Sequence, residues 1–438
     1  MEQDSQDAAW PGRPSGPQLT EADPAFRDDP HSLLDWMREH APVYRDDEYG
    51  FYFLTRYEDC RRVLTDRTLW RDPDKAEAAA VYIHASKGRS RADDHMEGRD
   101  NSILLMDEPE HSRIRHVVAL ALNSRILSAT GVIEQIVQDK LAALERRHAF
   151  DLVEDYAAPI PIEVIAGLMG LELRDVPQFR AWSEAILKIF HPARTRRETF
   201  EMISARRGFL QIVGALLEAR KLAPRDDLIS DLAQLQASGA AISDAEIRFT
   251  CLSLMVAGNM TTSDLIGNSL YLLLTHPDQM ALLKANYGLM PALIEEVLRF
   301  EPPGTGTARI ASRDLDLRGC PVARSQAMVV CIRAANRDPA AYANPHVFDI
   351  TRPHVPHLTF GGGDHYCIGA ALARLEAQVA IRSMLERFPQ LAIAAPAHAP
   401  VWRTQPYVHG LVALELLTED GSAEPARPAL GPLGRATI

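Results

Sequence analysis

Cysteine is scarce: Cys60, Cys251, Cys320, Cys331 and Cys367 are scattered over 438 residues, and no Cys-x-x-Cys pair occurs. Such usage excludes a disulfide-stapled secreted scaffold and a zinc ribbon, and it fits a reducing, cytoplasmic setting. Long apolar runs are missing as well. No stretch of about 18 uncharged apolar residues is present, so no membrane span is expected. The N-terminal MEQDSQDAAWPGRPSG lacks the basic-then-apolar order of a signal peptide. Positive charge is in deficit, with 47 Lys and Arg against 59 Asp and Glu, a net −12. That balance argues against a nucleic-acid binder, which presents a basic face.

What is present suits a large packed core: 46% of residues are hydrophobic and 24% charged. Residues 1–20 and 419–438 are rich in Pro, Gly, Ser and Ala without apolar periodicity and read as loose tails. Between them no repeat and no linker interrupts the chain, so 21–418 reads as a single domain. Helical patterns dominate. The longest begins at the capping box Ser243-Asp-Ala-Glu246 and runs to about Leu274, apolar on nearly every face, which requires it to cross a core. Other helical stretches are 30–40, 108–124, 131–147, 162–169, 176–190, 198–220, 276–287, 290–300 and 367–388. Strand-like runs are few, at 49–54, 307–311, 327–332 and 411–417. The fold class is therefore mainly α with a small β region.

The densest chemical signal is Phe360-Gly-Gly-Gly-Asp-His-Tyr-Cys-Ile-Gly369, followed by a helical pattern through Leu372, Leu375 and Val379. A cysteine where a glycine-rich loop feeds a helix N-terminus gains thiolate character from amide donors and the helix dipole. Glycines there let the backbone approach something flat and large. A thiolate so placed serves as a metal ligand or as a nucleophile. The plainer readings are a buried small hydrophobe for Cys367 and a simple turn for the glycines. A phosphate loop fails because no Gly-Lys-Ser/Thr follows, and zinc lacks ligands beyond His365 and Cys367.

This segment resembles the haem-binding signature of the cytochrome P450 family, whose Phe, two spaced Gly, His or Arg, Cys and Gly match Phe360, Gly361, Gly363, His365, Cys367 and Gly369. The resemblance implies haem b, with Cys367 as proximal iron ligand, and the family's mostly helical fold with haem between the long central helix and the helix after the Cys loop. Glu296-Val-Leu-Arg299 is similar to the family's Glu-x-x-Arg pair, and Arg352 to its third, structural member. Ala257-Gly258-Asn259-Met260-Thr261-Thr262 resembles the oxygen-binding stretch: Gly258 opens the helix beside iron and Thr261 supplies a hydroxyl. Met260 departs from the pattern, because the family usually has Asp or Glu there and methionine relays no proton; Asn259, Thr262, water or a substrate group are the substitutes. His111 and Arg115 resemble the propionate-binding His-x-x-x-Arg pair, and Arg309 and His365 fit the remaining propionate positions.

The function so implied is a monooxygenase inserting one atom of O2 into a small or medium organic substrate. Electrons come from a ferredoxin or flavodoxin with its NAD(P)H reductase, docking near a basic patch of Arg113, Arg374 and Arg125. Desaturation or oxidative coupling at the same haem-thiolate site, or a haem sensor without turnover, are the alternatives. The charged stretch 74–101 lies where the family has a variable lid. A basic cluster at Arg194, Arg196, Arg197, Arg206 and Arg207 lies in the roof region and is a candidate for attracting an acidic substrate.

Overall fold

The computed structural model describes residues 14–80, 102–172, 176–190, 194–353, 356–394 and 400–418. Helices run in chain order as α1 Pro24–Asp28, α2 Pro30–His40, α3 Tyr57–Thr65, α4 Glu110–Ser128, α5 Thr130–Leu144, α6 Pro159–Met169 and α7 Val176–Leu187. They continue as α8 Arg196–Leu222, α9 Leu228–Ala237, α10 Asp244–Thr275, α11 Pro277–Ala285, α12 Met290–Phe300, α13 Ile332–Ala335 and α14 Ala370–Arg387. Strands β1 Val43–Asp46, β2 Phe51–Leu54, β7 Ala327–Cys331 and β4 Gly306–Ile310 form one sheet in that spatial order, with only β2 and β7 parallel. β5 Leu315–Leu317 and β6 Cys320–Val322 make a small hairpin. β3 Ala149–Asp151 and β8 Ala392–Ile393 flank β11 Glu415–Leu417, and β9 Val401–Trp402 pairs with β10 Leu411–Ala413.

The central element is α10. Its capping box forms as the sequence requires, Ser243 Oγ accepting from Glu246 N and the Glu246 carboxylate accepting from Ser243 N. At 1.5 Å per residue its 32 residues span about 48 Å. It packs against α6, α7, α8, α12 and α14, which explains the apolar character of nearly every face.

Three expectations are corrected. Packing already includes residues before 21: Gly16 N donates to Asp46 Oδ2 at 2.6 Å, and Leu19 is buried among Phe26, Leu33 and Leu34. The run 411–417 is two strands in different sheets, because Leu414 N turns to the Asp151 carboxylate and Leu414 O accepts from Leu152 N. The helix after the Cys loop begins at Ala370, so Cys367 precedes its first residue by three positions.

Candidate active site

The loop leading into α14 is shaped by two glycines in the left-handed region, Gly361 at φ 73° and Gly363 at φ 62°. A Cβ on Gly363 would also lie 3.0 Å from Leu64 O, so the close approach to α3 demands glycine. Cys367 N donates to Phe360 O at 2.9 Å, closing the loop. Of the five cysteines, Cys60, Cys251 and Cys331 are buried, Cys320 is half-buried and Cys367 is exposed. Surrounding protein nonetheless desolvates the Cys367 thiol and pushes its pKa up, opposed by the Gly369 amide and the guanidinium groups of Arg115 and Arg374. At Gly369 and Gly258 an added Cβ would meet nothing within 4 Å.

Midway along α10, Ala257 and Thr261 are exposed between buried stretches of the helix; the face they share borders a hollow. Thr261 Oγ1 donates to Ala257 O at 2.6 Å, so its lone pairs remain free to accept. Asn259 and Thr262 do not share this face. Both are buried, 200° and 140° around the helix from Ala257 at about 100° per residue, which corrects the expectation that they stand beside Thr261 as catalytic groups in place of the missing acid. Met260 is buried with Leu187 and Val408.

Cationic groups from distant parts of the chain gather beside the Cys loop. The rings of His111 and His365 lie 3.9 Å apart, and Arg115 Nη2 donates to Tyr366 O. Arg309 and His365 line one small pocket with Asp107, Glu108 and Asp364. Arg71, which the sequence reading missed, donates to Thr307 Oγ1 at 2.8 Å and holds its backbone N against Asp107 Oδ1 at 2.5 Å. Burial, then repulsion from Arg71, His111, Arg309 and Arg115, drives the His365 pKa down to about 2. Burial lowers Arg71 to about 10, and burial plus Arg71 lowers Arg309 strongly. Among the described residues, the side chain of Arg309, 2% exposed, reaches only Ala308 O, and the buried His111 Nε2 has no hydrogen-bond partner. A buried guanidinium with no ion-paired carboxylate among the described residues and an orphaned imidazole nitrogen are the complement of a buried dianion, so these residues fit the two propionates of haem.

Bracing this region, Glu296 and Arg299, 4% and 2% exposed, pair through two contacts of 2.7 Å. Arg352 Nε joins Glu296 Oε1 at 3.2 Å; Arg299 also donates to the carbonyls of Pro345 and Val347, and Arg352 to that of Val347. Phe360 lies beneath the Arg374 guanidinium, 4.5 Å from its ring centre. The expected basic patch does not form: Arg374 pairs with Glu295, Arg113 with Glu246, and Arg125 with Asp231 and Asp226. In the roof cluster, Arg197 pairs with Glu201 and Arg206 lies over Phe249. Residues 81–101 of the lid stretch lie outside the described residues. No single helix among the described residues is long and apolar enough to cross a membrane.

Comparison with known proteins agrees with this architecture. The family model Cytochrome P450 matches residues 71–393. Nocardicin C N-oxygenase of Nocardia uniformis is 37% identical over 358 residues, covering 80% of this chain and 85% of the relative. The 6-deoxyerythronolide B hydroxylase of Saccharopolyspora erythraea is 32% identical, covering 86% and 95%. A myxobacterial cytochrome P450 solved with myristic acid superposes with a TM-score of 0.83 at 32% identity, over 93% of this chain and all of that one. By fold, by family match and by these relatives, the chain belongs to the cytochrome P450 family, the haem b-dependent monooxygenases.

Proposed function

We propose that the Cys367 thiolate would hold haem b, that Arg71, His111, Arg115, Arg309 and His365 would hold its propionates, and that Thr261 would serve the oxygen side. The observation that carries this reading is Cys367 itself: the exposed cysteine, on a glycine-shaped loop, beside a cluster of arginines and histidines that includes the buried Arg309 and His111. Haem held there supplies the activation of dioxygen, thiolate ligation favouring O–O cleavage.

The chain's own residues do the rest. Gly369 N–H, Arg115 and Arg374 favour anionic sulfur at Cys367 against its desolvation by the surrounding protein. Gly258, with open space where a Cβ would stand, leaves room beside the helix. Thr261 accepts a hydrogen bond from the hollow while donating to Ala257 O, and breaking that donation frees its proton for transfer. Met260, Leu187 and Val408 form an apolar wall that excludes water and holds no proton. The Glu296–Arg299–Arg352 network acts structurally, holding the 343–352 segment against α12.

Electrons reach this centre from a separate ferredoxin or flavodoxin with its NAD(P)H reductase, and the five unpaired thiols suit a cytoplasmic enzyme. The substrate is a small or medium organic molecule oxidised by oxygen insertion. Turnover with a surrogate ferredoxin system under isotopically labelled dioxygen tests this: the product carries one labelled oxygen atom. Substrate-dependent oxygen consumption yielding an unlabelled desaturated or coupled product would overturn insertion.

A further inference from the structure

Met260 leaves the turn beside Thr261 without an acid, yet the reaction consumes two protons for each dioxygen cleaved. One turn further along α10 lies Asp264, 1% exposed, in a fully buried stretch of the helix. At 3.6 residues per turn, Ala257, Thr261, Asp264 and Asn268 fall within an arc of roughly 60°. Asp264 therefore continues the face that Ala257 and Thr261 expose to the hollow. Where that face becomes buried, the β9–β10 hairpin covers it. Arg403 Nε donates to Asp264 Oδ1 at 2.9 Å, and Asn268 Nδ2 donates to His409 O at 3.1 Å. The backbone of Gly410 abuts the carboxyl so closely that a Cβ there would lie 2.1 Å from Asp264 Cγ. Val408 of the same hairpin packs on Met260.

The two carboxylate oxygens differ. Oδ1 is held by Arg403, whereas Oδ2 is buried with no hydrogen-bond partner among the described residues. An open, buried carboxylate oxygen beside a single cation is costly unless it is protonated or joined by water. Burial raises the Asp264 pKa to about 6 against the lowering effect of Arg403, the charged group that faces it. A carboxyl in that range is both present as the acid and reprotonated near neutral pH.

From this geometry we infer that Asp264, oriented by Arg403, is the acid that feeds protons to Thr261 along one face of α10, in place of the acid that Met260 displaces. The inference rests on the proposed role of Thr261. The Oδ2–H proton passes through a water to the Thr261 hydroxyl oxygen as that hydroxyl gives its own proton toward the reacting oxygen. The Asp264 carboxylate then regains a proton from solvent by way of the partly exposed Arg403 side. No electrons move in this relay, and each pass delivers one proton. Asp264 acts through Thr261 and is a positioning and proton-feeding residue.

The test compares D264N, T261V and the double variant D264N/M260E in the haem-loaded enzyme. D264N should keep the spectrum of the loaded protein but lower the coupled product rate roughly 100-fold, the lower end of what a positioned acid contributes. It should also raise peroxide release and the solvent isotope effect. Restoring an acid with M260E should recover coupling, which a merely structural loss would not allow. Independently of turnover, infrared difference spectra should show a protonated-carboxyl band that titrates near pH 6 in the parent and is absent from D264N. Should D264N fail to fold, R403Q replaces it, and the band must then persist with its midpoint moved upward. Coupling lost in T261V but intact in D264N, or a parent without the band, overturns the Asp264 proposal alone. Coupling intact in T261V overturns the Thr261 reading on which it rests.

Discussion

Glu376, on α14, is 2% exposed, and its Oε2 has no hydrogen-bond partner among the described residues. Burial pushes its pKa from the ordinary 4.5 up to about 8. The folded state thus keeps this proton up to about pH 8, while the unfolded chain loses it above 4.5. Between those values unfolding releases a proton, so the stability contribution is complete below pH 4.5 and is lost as pH rises toward 8. At about 1.4 kcal/mol per unit, the loss reaches roughly 3 kcal/mol at pH 7 and roughly 5 kcal/mol above pH 8. E376Q removes the titration and leaves only a pH-independent offset from the buried amide. Relative to the parent, the variant should therefore gain stability steadily from pH 5 to pH 8.5, read as a growing difference in thermal midpoint by circular dichroism. A difference that stays flat across this range would refute the buried neutral acid.

Other consequences follow from the same contacts. R299L strands Glu296 and Arg352 in a buried environment and should cost about 3–5 kcal/mol; an unchanged thermal melt would contradict the network's bracing role. R309Q removes the buried cation that has no ion-paired carboxylate among the described residues, so haem should pass to apomyoglobin roughly tenfold faster, as expected from losing about 1.5 kcal/mol of charged hydrogen bonding. The haem-free variant should be no less stable than the haem-free parent, and a clear loss would show that Arg309 braces the protein itself. G363A places a side chain at φ 62° against Leu64 O and should lower haem retention, with roughly 1–2 kcal/mol of local strain; full retention would show that the loop tolerates a Cβ.

Local signals in the chain were sufficient for the elements they govern. α2 and α12 have the boundaries their sequence patterns indicate: proline opens both, Asp29 caps the first, and the second ends just before Pro302-Pro303. The capping box located α10, and the Cys loop was visible because its glycines and cysteine are contiguous. α3 escaped notice because its charged sequence buries only Asp59, Cys60, Val63 and Leu64. Arg71 escaped because nothing in Trp70-Arg71-Asp72-Pro73 announces that β4 will bring Thr307 and Arg309 beside it. Asn259 and Thr262 were grouped with Thr261 by adjacency, whereas helical rotation turns both into the packing. The pairing of Asp264 with Arg403 spans 139 positions and depends on how the C-terminal hairpin folds over α10, which no local pattern specifies.

Ligation of haem iron by the Cys367 sulfur is the proposal on which the roles of the other residues depend. The most direct measurement is the absorption spectrum of the reduced, carbon monoxide-treated protein, taken for the parent and for C367S. Thiolate ligation predicts a strongly red-shifted Soret band in the parent that is lost in the variant. A parent that stays colourless after haem supplementation, or a C367S spectrum indistinguishable from the parent's, would contradict it.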